Sequence, residues 1–441
     1  MKSLQLLLSL YAISALSKDS ISPLPDLGEC KLPTSQWVGA LEESKAVSSE
    51  PYDASPVSSA FPIASPCARN GTTSYCVYSD PSFADHRGIS FLTTSTQAQR
   101  LARSSIFRKP SLHADVPDLN AASSPRWAVR AVPGKGMGLF ATQRLELGDR
   151  VMSATPSIMI DYSVYESLGP GAIHELQAAA IGALPAAHRA AFMELSTHDG
   201  AASHIERVEK IMLTNAFDLA EAGDDQEEEE EGPNWFTVFP HISRLNHDCR
   251  PNADYYFDPV TLTQNIHATR SILPGEEITV SYINTLQPRE ARRERIERTW
   301  HFLCACSLCT APRHQTAASD ARIAQIAELT AHLRDSSSSS ASSSPSPQMA
   351  ELLVSLYEQE RLWGSIHEAY AQAAVAYSAV GEAWMAVKYA RLAVQRGLAA
   401  KGPRDGEVGD MEGLAEDPGG HWSWGIRMPG AAEEEGGVVG E

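Results

Sequence analysis

The stretch "HISRLNHDCRPNADYYFD" (residues 241–258) decides the fold, because it places a lone cysteine, Cys249, in a polar turn between segments with strand character. Further along the chain, "HFLCACSLC" (residues 301–309) adds a dense group of thiols, namely Cys304, Cys306 and Cys309. A lone cysteine in an Asn-His turn and a distant cysteine triplet need a common explanation.

Four thiolates complete a tetrahedral zinc site, and the triplet supplies three of them. Cys249 is the only cysteine outside the N-terminal region that remains to be the fourth. Soft thiolates favour zinc over magnesium or calcium, and a site closed by four protein ligands is structural. The sequence therefore predicts a zinc ion that ties residues 304–309 to the turn at Cys249, which converts metal affinity into folding free energy. A Cys306–Cys309 redox pair and extracellular disulfides remain the alternatives.

The bulk composition fits a globular protein with several domains. The chain has 441 residues, of which 43% are hydrophobic and 21% are charged, enough for two to four cores. Its net charge of −19 argues against general binding of nucleic acid and favours basic partners. The seven cysteines are an odd number and too few for a disulfide scaffold.

The N-terminus resembles a targeting segment followed by a region of low complexity. Residues 1–17 have a charged start, an apolar stretch and small residues, which together predict a signal peptide. The alternatives are a chance apolar start and a misplaced start codon on a cytosolic or nuclear protein. Residues 18–124 are rich in Ser, Pro and Ala, which predicts a mostly irregular leader, closed by a Cys67–Cys76 disulfide if the protein is secreted. Free thiols without a role are the alternative for these two cysteines.

The remaining chain predicts an α+β class with a β-rich module of short strands followed by an all-α region. Alternation, helical spacing, acidic runs and Ser- or Gly-rich stretches set the bounds. The predicted regions are the β-rich module 125–303 with a helical insert 163–214 and an acidic loop 218–234, a zinc segment 304–312, helical repeats 320–402 and a disordered tail 403–441.

Four motifs in order, "GKGMGLFAT", "NHDCRPN", "GEEITVSYI" and "HFLCACSLC", resemble those of the SET-domain protein lysine methyltransferases. The resemblance covers roughly residues 125–310 and is greatest to the SET-and-MYND branch and its fungal relatives. No cysteine-rich MYND finger interrupts residues 150–215. The resemblance implies a SET fold with a zinc-binding post-SET segment, and the helices after it look similar to a tetratricopeptide-like domain.

The resemblance also implies the site residues. Tyr282 would be the catalytic tyrosine, with a core tyrosine bonded to backbone as the alternative. The zinc ligands would be the four cysteines named above. S-adenosylmethionine would be bound by Lys135, Gly136, Met137, Gly138, Asn215, Asn246, His247 and Phe302. For the His247 side chain by itself, a bracing role in the turn is favoured over cofactor contact.

The implied activity is transfer of a methyl group from S-adenosylmethionine to a lysine of a protein substrate. We expect a monomer that acts on an accessible lysine in a basic segment, binds no nucleic acid directly and does not span a membrane. One alternative is an inactive SET-fold protein that binds partners through its helical repeats. Another is a secreted, disulfide-linked protein without a cofactor. The signal peptide indicates the secretory pathway, whereas the resemblance indicates the nucleus or cytoplasm.

Overall fold

A computed structural model describes five parts of the chain, namely residues 60–113, 126–197, 199–220, 234–334 and 346–428. The signal peptide and most of the acidic loop and Ser-rich linker lie outside them. The backbone divides into two compact units. Within the described ranges, the first unit comprises residues 60–113, 153–197, 199–220, 234–244 and 258–264, and the second comprises residues 126–152, 245–257, 265–334 and 346–428.

In the described residues, short strands are interspersed with helices up to residue 280, and only helices follow. The strands are β1 (Ile63–Asn70), β2 (Thr73–Asp80), β3 (Ile89–Thr94), β4 (Trp127–Val132), β5 (Gly136–Ala141), β6 (Arg150–Ala154), β7 (Ile158–Asp161), β8 (Ala216–Ala220), β9 (Asn234–Val238), β10 (Asn246–His247), β11 (Ala253–Asp258), β12 (Thr263–Ala268) and β13 (Glu277–Val280). The helices of more than one turn are α1 (Ser95–Arg103), α2 (Tyr162–Ser167), α3 (Pro170–Gly182), α4 (Ala186–Met193), α5 (His204–Asn215), α6 (Arg289–Trp300), α7 (Arg313–Arg334), α8 (Pro347–Gln359), α9 (Ile366–Ala379), α10 (Ala383–Ala400) and α11 (Gly406–Glu416).

The first unit is built on a six-stranded sheet in the order β1-β2-β3-β7-β9-β8. Neighbouring strands are antiparallel except for β3 and β7, which are parallel. Apolar side chains of the sheet, such as Val77 and Ile160, pack against Leu176 of α3 and Ile211 of α5. Helices of the predicted insert thus cover one face of this sheet.

The sheet differs from the prediction of an irregular leader over residues 18–124. Strands β1 to β3 lie in that segment, and the Cys67–Cys76 disulfide joins a directly opposed pair on β1 and β2. The strands were hidden because their polar side chains are buried and bonded to one another. Ser79 Oγ lies 2.8 Å from Ser90 Oγ, which also donates to the Ala180 carbonyl.

The second unit contains the motif-bearing strands. Its four-stranded sheet has the order β10-β13-β5-β4, in which β10 and β13 are parallel and the other neighbours are antiparallel. The pairing of β10 with β13 sets Asn246 opposite Thr279 and His247 opposite Val280. The Asn-His turn is therefore fixed beside the strand that leads to Tyr282.

The C-terminal part of the second unit is helical. Helices α7 to α11 follow one another, each packing against the next, around buried residues such as Leu353, Ala373 and Ala390. The predicted disordered tail from residue 403 differs from the structure, because α11 occupies Gly406–Glu416. Asp405 caps its first turn, and three apolar residues spaced three apart are buried: Val408, Met411 and Leu414.

The predicted α+β class, with a strand-rich module before a helical region, is confirmed. Within the described ranges, every helix is too short or too polar to cross a lipid bilayer.

Candidate functional site: a four-cysteine centre beside a partly buried tyrosine

The structure brings the four predicted metal ligands together. The side chains of Cys249, Cys304, Cys306 and Cys309 are all buried, and their Sγ atoms lie within 4.8 Å of one another. Cys249 Sγ lies 3.9 Å from Cys304 Sγ and 3.5 Å from Cys309 Sγ. Tetrahedral zinc with bonds of about 2.3 Å separates its sulfur ligands by about 3.8 Å, so the cluster fits this metal.

Local backbone hydrogen bonds aim these thiols. The Asp248 amide donates to the Val280 carbonyl, which holds the turn against the end of β13. On the other side, His301 ends α6 in the left-handed conformation at φ 56°, which turns the chain toward the cysteine triplet. The Cys309 amide then donates to Cys306 Sγ over 3.4 Å, a contact that stabilises a thiolate.

The electrostatics of the cluster also favour a cation. Hydrogen bonds among the four cysteines raise the pKa of the Cys249 thiol and lower the pKa of the Cys306 thiol. Four thiolates within 4.8 Å of one another repel, so they coexist only where a positive ion neutralises them. A zinc ion satisfies that requirement, and its affinity would stabilise the connection between the turn and the residues after α6.

His247 connects the cluster to Tyr282. Burial lowers the pKa of His247 to about 4, so its ring is neutral at pH 7. Its Nδ1 accepts a hydrogen bond from the Tyr282 amide over 3.1 Å, which leaves the proton on Nε2, 3.3 Å from Cys249 Sγ. Both ring nitrogens are thus used inside the protein, and the ring braces the turn.

Tyr282 lies two residues beyond the end of β13. Its hydroxyl donates to the Leu245 carbonyl over 2.6 Å, and its ring lies 5.4 Å from that of His247 and 5.2 Å from that of Trp300. Burial raises the pKa of the Tyr282 hydroxyl, so it is protonated at neutral pH. The bond to Leu245 uses the hydroxyl hydrogen, so the oxygen keeps its lone pairs for a hydrogen-bond donor.

The glycine-rich stretch lies against Asn246. The Asn246 Nδ2 donates to the Met137 carbonyl over 3.2 Å and to Glu277 Oε1 over 2.8 Å. A Cβ on Gly138 would lie 2.7 Å from that Nδ2 atom, so only glycine permits this approach. The structure therefore joins two motifs that the sequence assigned to the same cofactor.

Sequence reasoning missed Glu277 and gave Asn252 no role. Glu277 accepts from Asn246 and forms an ion pair with Lys135, whose Nζ lies 3.0 Å from Oε2. Asn252 accepts from the Thr279 amide and donates to the Glu277 carbonyl. The only signal was the position of each residue, since Glu277 begins the strand before Tyr282 and Asn252 follows Cys249 by three.

The two remaining predicted cofactor residues, Phe302 and Asn215, lie in different units of the structure. Phe302 is partly buried and packs against the cysteine cluster, whereas the neighbouring Leu303 is 58% exposed. Asn215 lies in the first unit at the end of α5. Its Nδ2 donates to the carbonyls of Ser196 and Ile211, so the amide nitrogen braces local backbone.

Residues 136–283 match the family described as the SET domain. The match begins at Gly136 in the glycine-rich stretch and ends just after Tyr282. The chain contains a SET domain. This SET domain includes Asn246, His247 and Cys249, whereas Phe302 and the cysteine triplet follow it.

Several proteins similar to this chain bear the names of lysine methyltransferases. The chain is 32% identical over 114 residues to N-lysine methyltransferase SMYD2-B of Danio rerio, covering 26% of each chain. It is 38% identical over 73 residues to N-lysine methyltransferase SMYD2 of Homo sapiens, covering 17% of this chain and 16% of that protein. Histone-lysine N-methyltransferase set5 of Schizosaccharomyces pombe is 26% identical over 195 residues, covering 44% of this chain and 53% of that protein. The chain thus spans no more than about half the length of these relatives.

Proposed function

We propose that this protein transfers a methyl group from S-adenosylmethionine to the side-chain amine of a lysine in a protein substrate. The observation that carries the proposal is the link from Cys249 through the His247 ring to the Tyr282 amide. It couples the four-cysteine cluster to a partly buried tyrosine at the end of the SET-domain match. The names of the relatives support the same reaction class.

Several residues fit the parts of the cofactor. When bound, S-adenosylmethionine supplies an electrophilic methyl group on a sulfonium, and in-line attack by a neutral amine breaks the carbon–sulfur bond. The backbone amide and carbonyl groups of Gly136 and Gly138 would contact it, because these two residues have no side chain. The Asn246 Oδ1 atom remains an acceptor for its ammonium group, because Nδ2 is held by Met137 and Glu277. Phe302 offers an apolar ring face for the adenine.

Tyr282 orients the substrate amine. Its hydroxyl hydrogen is committed to the Leu245 carbonyl, so the oxygen can accept an N–H from the incoming lysine. That contact would aim the nitrogen lone pair and hold the amine in a reactive geometry. The raised pKa of Tyr282 keeps the hydroxyl protonated, so it serves as a positioning dipole rather than a base.

The substrate lysine must lose its proton before it can attack. An apolar, aromatic surrounding disfavours the ammonium form and lowers the pKa of a lysine. The rings of Tyr282 and Trp300, 5.2 Å apart, offer such a surface. The substrate ammonium group would lose this proton to solvent before the attack.

The zinc ion supplies no chemical step in this scheme, because four thiolates leave no open coordination position. Its role is to hold the turn containing Asn246 and the segment containing Phe302 in place. A net charge of −19 favours encounters with basic substrate segments, so lysine-rich proteins are the expected class of substrate.

The test is to incubate the purified, zinc-loaded chain with methyl-labelled S-adenosylmethionine and a cell lysate, followed by hydrolysis and amino-acid analysis. We expect label in methyl-lysine. Tyr282→Phe should lower the rate by roughly a hundredfold, since it removes the oxygen that positions the amine. Its affinity for the cofactor should be unchanged.

The matched control is Tyr377→Phe, which removes a tyrosine hydroxyl bonded to Glu351 on the helical region. It should methylate like the wild type. Equal labelling by Tyr282→Phe and wild type would refute the assignment of Tyr282. A wild-type chain that binds the cofactor but labels no lysine would instead indicate an inactive SET-fold interaction protein.

A further inference from the structure

The second unit contains a buried ion pair that the proposed reaction does not use. Arg250 Nη2 lies 2.7 Å from Glu360 Oε2, and the two side chains are 7% and 3% exposed. Arg250 directly follows the metal ligand Cys249, whereas Glu360 lies at the C-terminal end of α8. The pair therefore joins the Asn-His turn to the helical region across a separation of 110 residues.

Glu360 is held by three donors. Besides Arg250, it accepts from Ser319 Oγ over 2.7 Å and from Arg322 Nε over 2.6 Å, both on α7. Burial alone would raise the pKa of this carboxyl, but these hydrogen bonds hold it below its usual value. Glu360 is thus a fixed negative charge, anchored by one helix and extended toward the turn.

Arg250 transmits that position to the site. Its Nη1 donates to the Cys249 carbonyl over 2.7 Å and to the Thr285 carbonyl over 3.3 Å. One guanidinium therefore bonds the backbone of a metal ligand, the segment that follows Tyr282, and Glu360. Because the guanidinium is planar and rigid, fixing one edge fixes the others.

We propose that Glu360 is a positioning residue through which the helical region holds the Cys249 turn in its metal-binding conformation. The inference goes beyond methyl transfer, since it concerns how the chain retains zinc. Only its catalytic consequence rests on the proposed function. Replacement of Glu360 should release zinc faster although Glu360 does not bind the metal.

Other contacts hold the helical region in place without Glu360. Arg396 Nη1 donates to the Thr269 carbonyl over 2.7 Å. The backbone of Gly402 lies so close to Tyr256 that a Cβ there would be 2.5 Å from the ring. Loss of the Glu360 charge therefore leaves these contacts intact. A variant of Glu360 can thus lose its hold on the Cys249 turn while the helical region keeps its place.

The experiment measures zinc release from the full, zinc-loaded chain into excess of a chromogenic chelator. Glu360→Gln keeps the shape of the side chain and removes its charge. We expect release to be about tenfold faster, as for groups that orient metal ligands indirectly. The matched control is Glu294→Gln on α6, whose 74% exposed side chain forms an ion pair with Arg298, and it should release zinc like the wild type.

A milder variant covers the case in which Glu360→Gln does not fold. Arg322→Gln removes one of the three hydrogen-bond donors to Glu360. The Arg322 side chain is 31% exposed, so the change is milder, and we expect zinc release to be a few-fold faster. Circular dichroism establishes that each variant is folded. Wild-type release rates in both folded variants would overturn the inference. Faster release from variants of a chain that methylates no lysine would uphold it while refuting the proposed function.

Discussion

Gly138 lies where the glycine-rich strand contacts Asn246. The variant Gly138→Ala tests whether this close contact is needed for cofactor binding. The added Cβ would lie 2.7 Å from Asn246 Nδ2 and 2.8 Å from both Glu277 Oε1 and Val132 Cγ2. Ordinary contacts of a Cβ begin near 3.4 Å, so at least one neighbour must move. The methyl group points between Asn246 and Glu277, which are bonded over 2.8 Å.

Two free-energy costs follow from these short distances. Inserting a methyl group into a packed position typically destabilises a protein by about 1–3 kcal/mol. In the proposed binding mode, displacing Asn246 would also remove its Oδ1 acceptor from the cofactor's ammonium group, and a hydrogen bond to a charged group contributes about 1.5–3 kcal/mol. The dissociation constant for S-adenosylmethionine should therefore rise by roughly tenfold or more.

The assay is calorimetric titration with S-adenosylmethionine, alongside thermal unfolding. Gly148→Ala is the matched control, since Gly148 has φ +83° and an added Cβ there would meet no atom within 4 Å. It should lose about 1–2 kcal/mol of stability from backbone strain yet bind the cofactor normally. If Gly138→Ala bound as tightly as wild type, Asn246 could not be a cofactor ligand in the way proposed.

Three further predictions concern the metal centre and the buried carboxyl. Zinc X-ray absorption should show four sulfur ligands at about 2.3 Å, and nitrogen or oxygen ligands would contradict the four-cysteine assignment. His247→Ala removes the Nε2 donor to Cys249 Sγ, so competition with a chelator should show zinc affinity reduced by roughly tenfold to a hundredfold; unchanged affinity would rule out its bracing role. The lowered pKa of Glu360 means that its contribution to stability is complete above about pH 4.5 and is lost as the pH falls through that lowered value. In urea unfolding, the difference between wild type and Glu360→Gln should shrink below that pH, and a constant difference would contradict the ionised state.

Much of the site could be predicted because its chemistry is concentrated in short segments. Thiols that bind one ion must converge wherever they lie in the chain, so three in one segment and one in another sufficed to pair Cys249 with the triplet. Asn246, His247 and Cys249 share one turn, and Tyr282 ends an alternating sequence pattern whose first part forms β13. Local patterns of this kind can be recognised in the sequence without any knowledge of tertiary contacts.

Contacts made by common residue types could not be predicted. Glu277 and Glu360 carry the same side chain as the many glutamates on the surface, and nothing nearby in sequence distinguishes them. Glu360 acquires its role only because α7 and α8 bring Ser319 and Arg322 next to it. Arg250 then supplies a partner from a distant turn.

The two missed regions show how composition can mislead. Serines at Ser79 and Ser90 indicate irregular chain by composition, yet both are buried and bonded within the six-stranded sheet. In α11, glycines obscure the spacing of Val408, Met411 and Leu414, although Asp405 offered a visible capping signal. Apolar spacing and capping residues were the better guides in that helix.

The central claim is that a metal held by four thiols keeps the Asn-His turn in the shape that binds the methyl donor. Calorimetric titration of S-adenosylmethionine into the chain before chelation, after chelation and after zinc is restored tests it most directly. The account predicts binding that disappears with the metal and returns with it. Equal affinity in all three states would contradict it.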